Sequence, residues 1–240
     1  MKYGLLGEKL GHSFSKEIHA LLADYEYELR ELSADEMEEL FRKKDFKAVN
    51  VTIPYKQTVI PYLDEISERA KKTGAVNAVV NRGGKLFGDN TDFAGMRALA
   101  LHAGADMKRK KVLVLGTGGT SKTACAVAED LGAKEVFRVS RTKKDDAVTY
   151  EEAAEKHSDA QIIINTTPVG MFPKTDASPI DISAFPQLET VLDAIFNPLR
   201  TELVLDAQKK GINASGGLYM LVSQAVYAAM HFEKAGENDL

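Results

Sequence analysis

Lys56 and Asp92 are the side chains of this 240-residue chain with the clearest chemical use. Lys56 ends NVTIPYK (Asn50–Lys56), where a strand-like run meets Pro54 and a side chain can project into a cleft. Asp92 closes GDNTD (Gly88–Asp92), just ahead of a helix-like segment. Two more short polar motifs lie in the same half of the chain, GHSFS (Gly11–Ser15) and GAVN (Gly74–Asn77). Hydroxyls (Ser13, Ser15, Thr52), carboxamides (Asn50, Asn77), one amine and one carboxylate punctuate otherwise apolar segments, and core packing has no use for them. They are equipment for holding a small polyhydroxylated acid.

Interconverting a secondary alcohol and a ketone requires a proton at the oxygen and a hydride at the carbon. Lys56 can give its proton to a ketone oxygen as an ammonium, or accept one from the alcohol as an amine. Burial favours the amine, and a nearby aspartate the ammonium. Taken alone, Lys56 reads as an ordinary surface lysine. Asp92 and Thr91 equally suit the N-cap of the following helix, and Ser15 is balanced between capping its helix and binding a ligand. Asn50 and Thr52 alternate with apolar residues and share a strand face. Asn77, in VNAVVN, needs partners as a buried carboxamide.

The hydride calls for a nicotinamide. A strand-like VLVLG (Val112–Gly116) runs into GTGGT (Gly116, Thr117, Gly118, Gly119, Thr120) and then a helix, the context that gives a glycine pattern meaning. Gly116 permits the tight turn, Gly118 and Gly119 let the backbone approach a pyrophosphate, and the helix N-terminus supplies free N–H groups. The spacing is GxGG rather than the strict GxGxxG, and a tight turn with no ligand is the competing reading. The next strand ends in Ser140, Arg141, Thr142, Lys143 and Lys144, where an NAD enzyme commonly has an acidic residue. Arginine and lysines suit a 2′-phosphate, so the expected cofactor is NADP, against the plainer reading of a solvated basic loop.

The elements that must position these groups alternate as in an α/β protein. Strands are expected at Lys2–Gly7, Tyr25–Leu32, Ala48–Ile53, Val112–Gly116, Glu135–Arg141, Ile162–Thr167 and Thr190–Phe196, with a short one from Asn213. Asn77–Asn81 and Lys85–Gly88 form a hairpin around Gly83–Gly84. Helices are expected over Ser15–Ala23, Ala34–Lys43, several segments up to Lys72, Phe93–Ala103, Ser121–Leu131, Tyr150–Lys156 and from Leu218 nearly to the terminus. The architecture that follows has two domains. Residues 1–104 form a substrate domain on which 216–240 pack back, and 105–215 form a Rossmann-type, doubly wound nucleotide domain, with substrate held in a cleft between them.

The balance of 31 basic against 35 acidic side chains, without a basic stripe, argues against nucleic acid or a membrane surface as main partner. Cys125 is the only cysteine, so an internal disulfide and a CxxC metal site are both excluded; it reads as a buried structural thiol. His12, His19, His102, His157 and His231 lack metal-ligand spacing and read as packing or surface residues, and no metal is expected. Lys2 precedes no long apolar stretch, so a cytoplasmic protein is expected, as a monomer or homodimer.

These motifs, in order and over nearly the whole chain, resemble those of the shikimate dehydrogenase family, which reduces 3-dehydroshikimate with NADPH in aromatic amino-acid biosynthesis. The resemblance implies that GHSFSKEIH brings Ser13 and Ser15 to the substrate carboxylate. It makes Lys56 the catalytic lysine with Asp92 as its partner, and sets Asn77 and Asp92 at the ring hydroxyls, with Asn50 and Thr52 also at the substrate. Gln224, in GGLYMLVSQA, reaches the substrate, as does position 196. GTGGT and SRT become the cofactor turn and 2′-phosphate clamp, with Thr166 (in NTTPVGM), Ala194, Gly217 and Glu68 as further cofactor contacts. The chain departs from the pattern at Phe196, where a tyrosine is usual, at Ser140 for asparagine, at Lys16 for proline and at Ala20 for asparagine. It is also shorter between Arg141 and Asn165. Phe196 keeps open a quinate/shikimate dehydrogenase with relaxed substrate or NAD use. A non-catalytic sensor of shikimate or NADP is the alternative from another class.

Overall fold

The computed structural model describes residues 1–11, 13–144 and 146–237, with side chains up to 234; His12 lies outside the described residues. The chain divides into two compact units, Met1–Ala94 with Gln224–Leu240, and Gly95–Ser223. Among the described residues no helix is long and apolar enough to cross a membrane.

The first unit is a mixed sheet of β1 (Tyr3–Gly7), β2 (Tyr27–Glu31), β3 (Ala48–Val51), β4 (Glu65–Ile66), β5 (Ala78–Arg82) and β6 (Lys85–Asp89), in the order β2-β1-β3-β5-β6-β4. Strands β2 and β3 run parallel to β1, and parallel neighbours need crossovers, supplied by α1 (Ser15–Leu22) and α2 (Ala34–Lys43). A reciprocal capping box between Ser33 and Glu36 starts α2, Lys44 in the left-handed conformation ends it, and Met37, Leu40 and Phe41 make its buried stripe. Strand β5 is antiparallel to β3 and β6, and its hairpin turns through Gly83 and Gly84, both at positive φ. The two-residue period sends alternate side chains to two cores. Leu6, Val49 and Val79 meet Met37 and Phe41 on one face. On the other, Leu5, Ala48 and Ala78 meet Ala228 and Phe232 of α8 (Leu218–Glu237), so the terminal helix returns to the first unit. Edge strand β2 buries only Tyr27 and presents Glu28, Arg30 and Glu31 to solvent, a pattern that discourages edge-to-edge pairing.

The second unit is an all-parallel sheet of β7 (Lys111–Leu115), β8 (Glu135–Ser140), β9 (Ala147–Thr149), β10 (Ile162–Asn165), β11 (Thr190–Asp193) and β12 (Asn213–Ser215), ordered β12-β11-β10-β7-β8-β9. This is the doubly wound dinucleotide order, reversing between β7 and β10. Val112–Leu115, Ile162–Asn165 and Thr190–Asp193 are buried throughout, as strands covered on both faces must be. The helices are α4 (Thr91–His102), which starts in the first unit, α5 (Gly119–Asp130), α6 (Tyr150–Lys156) and α7 (Glu202–Lys209).

Several elements differ from expectation. Of the helical reading up to Lys72, α3 (Glu68–Thr73) and a 3₁₀ turn at Ile60–Tyr62 are present, with β4 between them. That strand is too short to show a two-residue period. β9 has only three residues, and α7 falls where no helix was expected, although Thr201 caps it and Leu203, Val204 and Ala207 are its buried face. Strand β3 stops at Val51, β8 at Ser140 and β11 at Asp193, each short of its expected end. Helices α4 and α5 each start two residues early, at Thr91 and Gly119. The boundary between the units falls inside α4 and α8 rather than at Gly104 and Gly216.

Candidate active site

Strand β6 ends at Asp89, and the next three residues make the turn into α4. Asn90, 1% exposed, is the N-cap of α4: its Oδ1 accepts the Phe93 N–H at 3.1 Å. Its Nδ2 donates to Thr73 Oγ1 at 2.8 Å and to the Ala75 carbonyl at 3.0 Å. The capping role that Asp92 or Thr91 could have filled is thus taken by Asn90. Asp92 turns instead to Lys56, whose Nζ donates to Asp92 Oδ2 at 2.6 Å. The two side chains are 21% and 28% exposed, sheltered but open to a ligand. Lys56 stands on the turn after β3 beside buried Tyr55, whose hydroxyl donates to the Leu32 carbonyl at 2.6 Å. The Lys56 carbonyl accepts the Val76 N–H at 2.8 Å. The backbone on both sides of the lysine is therefore pinned.

The carboxamides form a chain leading to the same turn. Tyr27, from β2, donates its hydroxyl to Asn50 Oδ1 at 2.8 Å, and Asn50 Nδ2 donates to the Asn77 carbonyl at 3.0 Å. Asn77 Oδ1 accepts the Thr91 N–H at 2.7 Å and the Thr91 hydroxyl at 3.2 Å; the Asn77 amide nitrogen takes no part in these two bonds. The Thr91 hydroxyl also lies 3.5 Å from Gln224 Oε1 on α8. Asn50, Asn77, Lys56, Asp92 and Gln224 are thereby linked around one turn. Tyr27, Asn90 and Thr91 were not singled out as site residues in the sequence. Asn90 and Thr91 lie inside the GDNTD motif, and Tyr27 belongs to an alternating YEYEL run, but nothing local indicates what either would touch.

Ser13 Oγ accepts the Ser15 N–H at 3.2 Å, and the N-cap of α1 is Phe14, without a side-chain cap. Ser15 therefore does not cap its helix. The segment is anchored by Leu10, whose N–H donates to Glu31 Oε1 at 2.7 Å. Thr52 stands one residue past β3 and donates its N–H to the Leu6 carbonyl at 2.8 Å. Buried His19, on α1, stacks on Tyr27 at 4.0 Å between ring centres, and its Nδ1 lies 2.7 Å from the Tyr25 hydroxyl. Burial, partly offset by a bond to Asn50, holds its pKa at about 4. Glu68 opens α3 on the surface and pairs with Lys71 at 2.6 Å.

In the second unit the glycine turn sits at the carboxyl end of β7, beside the point where strand order reverses. Gly116 has φ +109°, and a Cβ there would lie 2.9 Å from Thr166 Oγ1, so both conformation and space demand glycine. The Thr166 hydroxyl donates to the Leu115 carbonyl at 2.5 Å, tying the ends of β7 and β10 together. Gly118 is the N-cap of α5 and supplies no side-chain cap. A Cβ on Gly118 or Gly119 would meet open space, so the protein's own packing does not require glycine there. A bare helix N-terminus under an open glycine surface fits a pyrophosphate. Thr120 is exposed beside them.

The basic loop after β8 lies near the same turn. The hydroxyl of buried Ser140 accepts the Thr142 N–H at 3.4 Å, and Arg141 is exposed. Lys143 is engaged by Glu152 at 2.7 Å, while Lys144 Nζ reaches back to Thr117 Oγ1 at 3.0 Å. Lys143 and Lys144 are therefore both held by side chains of this unit.

The loop after β11 hangs from Asp193, which is fully buried. It accepts from Asn165 Nδ2 (3.1 Å), the Ile195 N–H (2.9 Å) and the Thr201 hydroxyl (2.7 Å). Burial raises its pKa against these three bonds. Ala194 and half-buried Phe196 belong to this loop, and Gly217 donates its N–H to the Ile195 carbonyl at 2.8 Å. Burial pushes the Cys125 thiol up to about 11, as suits a structural thiol. Among the described residues no group of His, Cys, Asp and Glu could hold a metal ion.

Residues 5–79 match the substrate binding domain of shikimate dehydrogenase. Over 243 residues the chain is 38% identical to a shikimate dehydrogenase (NADP(+)) of Clostridium beijerinckii, across 94% of this chain and 89% of that one. Its fold matches the crystal structure of a chorismate mutase/shikimate 5-dehydrogenase fusion protein from Clostridium acetobutylicum with a TM-score of 0.90 and 35% identity, covering 97% of this chain and 90% of that one. It also matches a shikimate 5-dehydrogenase from Thermus thermophilus, in complex with NADP(H) and shikimate, with a TM-score of 0.83 and 28% identity over the whole of both chains. With its two sheets, its motif order and a relative this similar along almost its full length, the chain belongs to the shikimate dehydrogenase family.

Proposed function

We propose that the protein is an NADP-dependent shikimate dehydrogenase, interconverting 3-dehydroshikimate and shikimate in aromatic amino-acid biosynthesis. The observation that carries this reading is the Lys56–Asp92 pair at 2.6 Å, built into the unit whose sequence matches the family's substrate domain. In the reducing direction Lys56 Nζ gives a proton to the carbonyl oxygen as the carbon accepts hydride; in the oxidising direction it takes that proton back. Asp92 orients the ammonium and accepts a ring hydroxyl. Asn77 fixes the turn through Thr91 and presents its amide nitrogen to a hydroxyl. Asn50, Thr52 and Gln224 complete the ring contacts, and Ser13 and Ser15 bind the carboxylate. NADPH, when bound, supplies the hydride. Residues 116–120 with Thr166, Ala194, Gly217 and Glu68 would hold the cofactor, and Ser140, Arg141, Thr142 and Lys143 the 2′-phosphate side, with Lys144 added by its reach to Thr117. We further propose a cytoplasmic enzyme, monomeric or homodimeric, with no nucleic-acid partner.

The test is nicotinamide absorbance with shikimate and quinate, each with NADP and NAD. Reduction of NADP by shikimate is expected. Lys56→Ala should lower turnover by about 10²–10⁴-fold while shikimate affinity changes only a few-fold. Turnover that survives the substitution would remove Lys56 from the mechanism. Phe196 favours one second reading. It lacks the hydroxyl usual at its position, so quinate turnover comparable to that of shikimate would mark an enzyme of relaxed specificity.

A further inference from the structure

Asp89 is the residue on which the catalytic turn begins, and it has no role in the chemistry above. Its carboxylate, in a residue 9% exposed, gathers donors from four places. Ser67, the N-cap of α3, donates to Oδ1, as does the Asn90 N–H at 2.7 Å. Arg69 of α3 donates to Oδ2 at 2.6 Å, and His231 Nε2 of α8 lies 2.8 Å from the same oxygen. Burial would raise the Asp89 pKa; the bonds from His231 and Ser67, the charge of Arg69 and the Asn90 N–H outweigh it and hold it at about 2.

The contact with α8 has a second point. Gln224 and His231 are seven residues apart, two helical turns, and so share a face of α8. Gln224 meets Thr91 and His231 meets Asp89, two positions along the turn. Buried Ala228 and Phe232 seat α8 on the sheet; the two polar contacts, two turns apart, fix its rotation and its slide on that seat.

Resting on the proposed function, we infer that His231, through its hydrogen bond to Asp89, is a positioning residue that registers α8 against the catalytic turn and so holds Gln224 where it meets the substrate. The pair touches no reacting atom, so its loss acts on substrate affinity rather than on the proton or hydride step. His231→Phe keeps the ring and removes the bond. The KM for shikimate should rise about fivefold or more, with kcat within about twofold and the KM for NADP unchanged. His231→Lys restores a nitrogen donor. It has room to extend, because the cluster walls a pocket of about 290 Å³ that also includes Arg82 and Phe87, and it should recover most of the loss. Asp89→Asn should raise the KM for shikimate likewise, and the double variant should be no worse than either single one. Hydrogen exchange of the ligand-free protein supplies a readout independent of turnover. Amides of α8 and of residues 89–92 should exchange faster in His231→Phe and return towards wild type in His231→Lys. Unchanged KM and exchange in His231→Phe would overturn the inference, as would additive losses in the double variant or equal losses in kcat and both KM values. A wild-type protein inactive with shikimate, whose His231→Phe variant still exchanges faster, would instead count against the proposed function and leave the latch standing.

Discussion

His19 provides a quantitative test of how the helix after the GHSFS motif is held. It is 1% exposed on α1, six residues past Ser13, between the rings of Tyr27 and Phe232 at 4.0 and 5.8 Å. Its pKa falls from an ordinary 6.5 to about 4 in the folded protein, mainly through burial. The unfolded chain therefore binds more protons at this position than the native state, and stability rises with pH. The contribution is fully present above pH 6.5 and is lost as pH falls towards 4. Between pH 7 and pH 5 those two values give a loss of about 2 kcal/mol. This window lies above the range where Asp89, held at about 2, takes up its proton. His157, also lowered by burial, loses stability in the same window, so wild type alone does not isolate His19. The difference from His19→Phe does, since the variant keeps a ring in the stack and every other titrating group. Urea unfolding at pH 7 and pH 5 should show wild type losing about 2 kcal/mol more than the variant across the step. Equal losses in the two proteins would show that His19 titrates normally in the fold, and the account of a neutral imidazole packed behind Asn50 would be wrong.

Two further changes probe the nucleotide unit. Arg141→Ala should raise the KM for NADP about tenfold or more while leaving that for shikimate nearly unchanged, because a bidentate guanidinium–phosphate contact is among the stronger ones; equal effects on both constants in steady-state assays would remove Arg141 from the clamp. Gly217→Ala would set a Cβ against the Ala194 carbonyl, which is backbone and cannot swing aside; loss of a few kcal/mol in urea unfolding, with weakened NADP binding, is expected, and a variant as stable as wild type would show that the loop relaxes freely.

What could be read from the chain was whatever is encoded locally. VLVLG, IIIN and TVLD are continuous apolar runs because parallel strands are covered on both faces. Ser33 and Glu36 mark the start of α2 in the sequence itself, and Gly116 advertises a left-handed turn. Short polar residues inside apolar segments stand out too, so candidate site residues could be picked from the motifs. Partners were not readable. That Tyr27 on an edge strand would serve Asn50, or that Asp89 would bind a histidine 142 positions later, depends on which strands neighbour one another. Strands of two and three residues, β4 and β9, carry too few side chains to show a period at all. Helix α7 was legible in principle: Thr201 caps it and its apolar residues have helical spacing, but eight residues beside a Pro-containing loop are easily read as part of that loop.

The GDNTD turn shows how a helix cap and a lysine–aspartate pair can share one short sequence. Three of its side chains could accept the first N–H groups of α4. If Asp92 did so, its charge would be spent on the backbone and Lys56 would lose the partner it has at 2.6 Å. The strand before it settles the choice. Asp89 ends β6 with its carboxylate committed to four donors, which fixes the backbone at Asn90. Asn90 then caps the helix with its oxygen while its nitrogen is held by Thr73 and Ala75, so the cap cannot migrate. Thr91 is bound to Asn77 by both N–H and hydroxyl. Asp92, on the first helical turn, is left to face Lys56. One turn thus uses a neutral amide as the helix cap and leaves the charged group to the lysine, and the order D-N-T-D is the order in which those contacts are made.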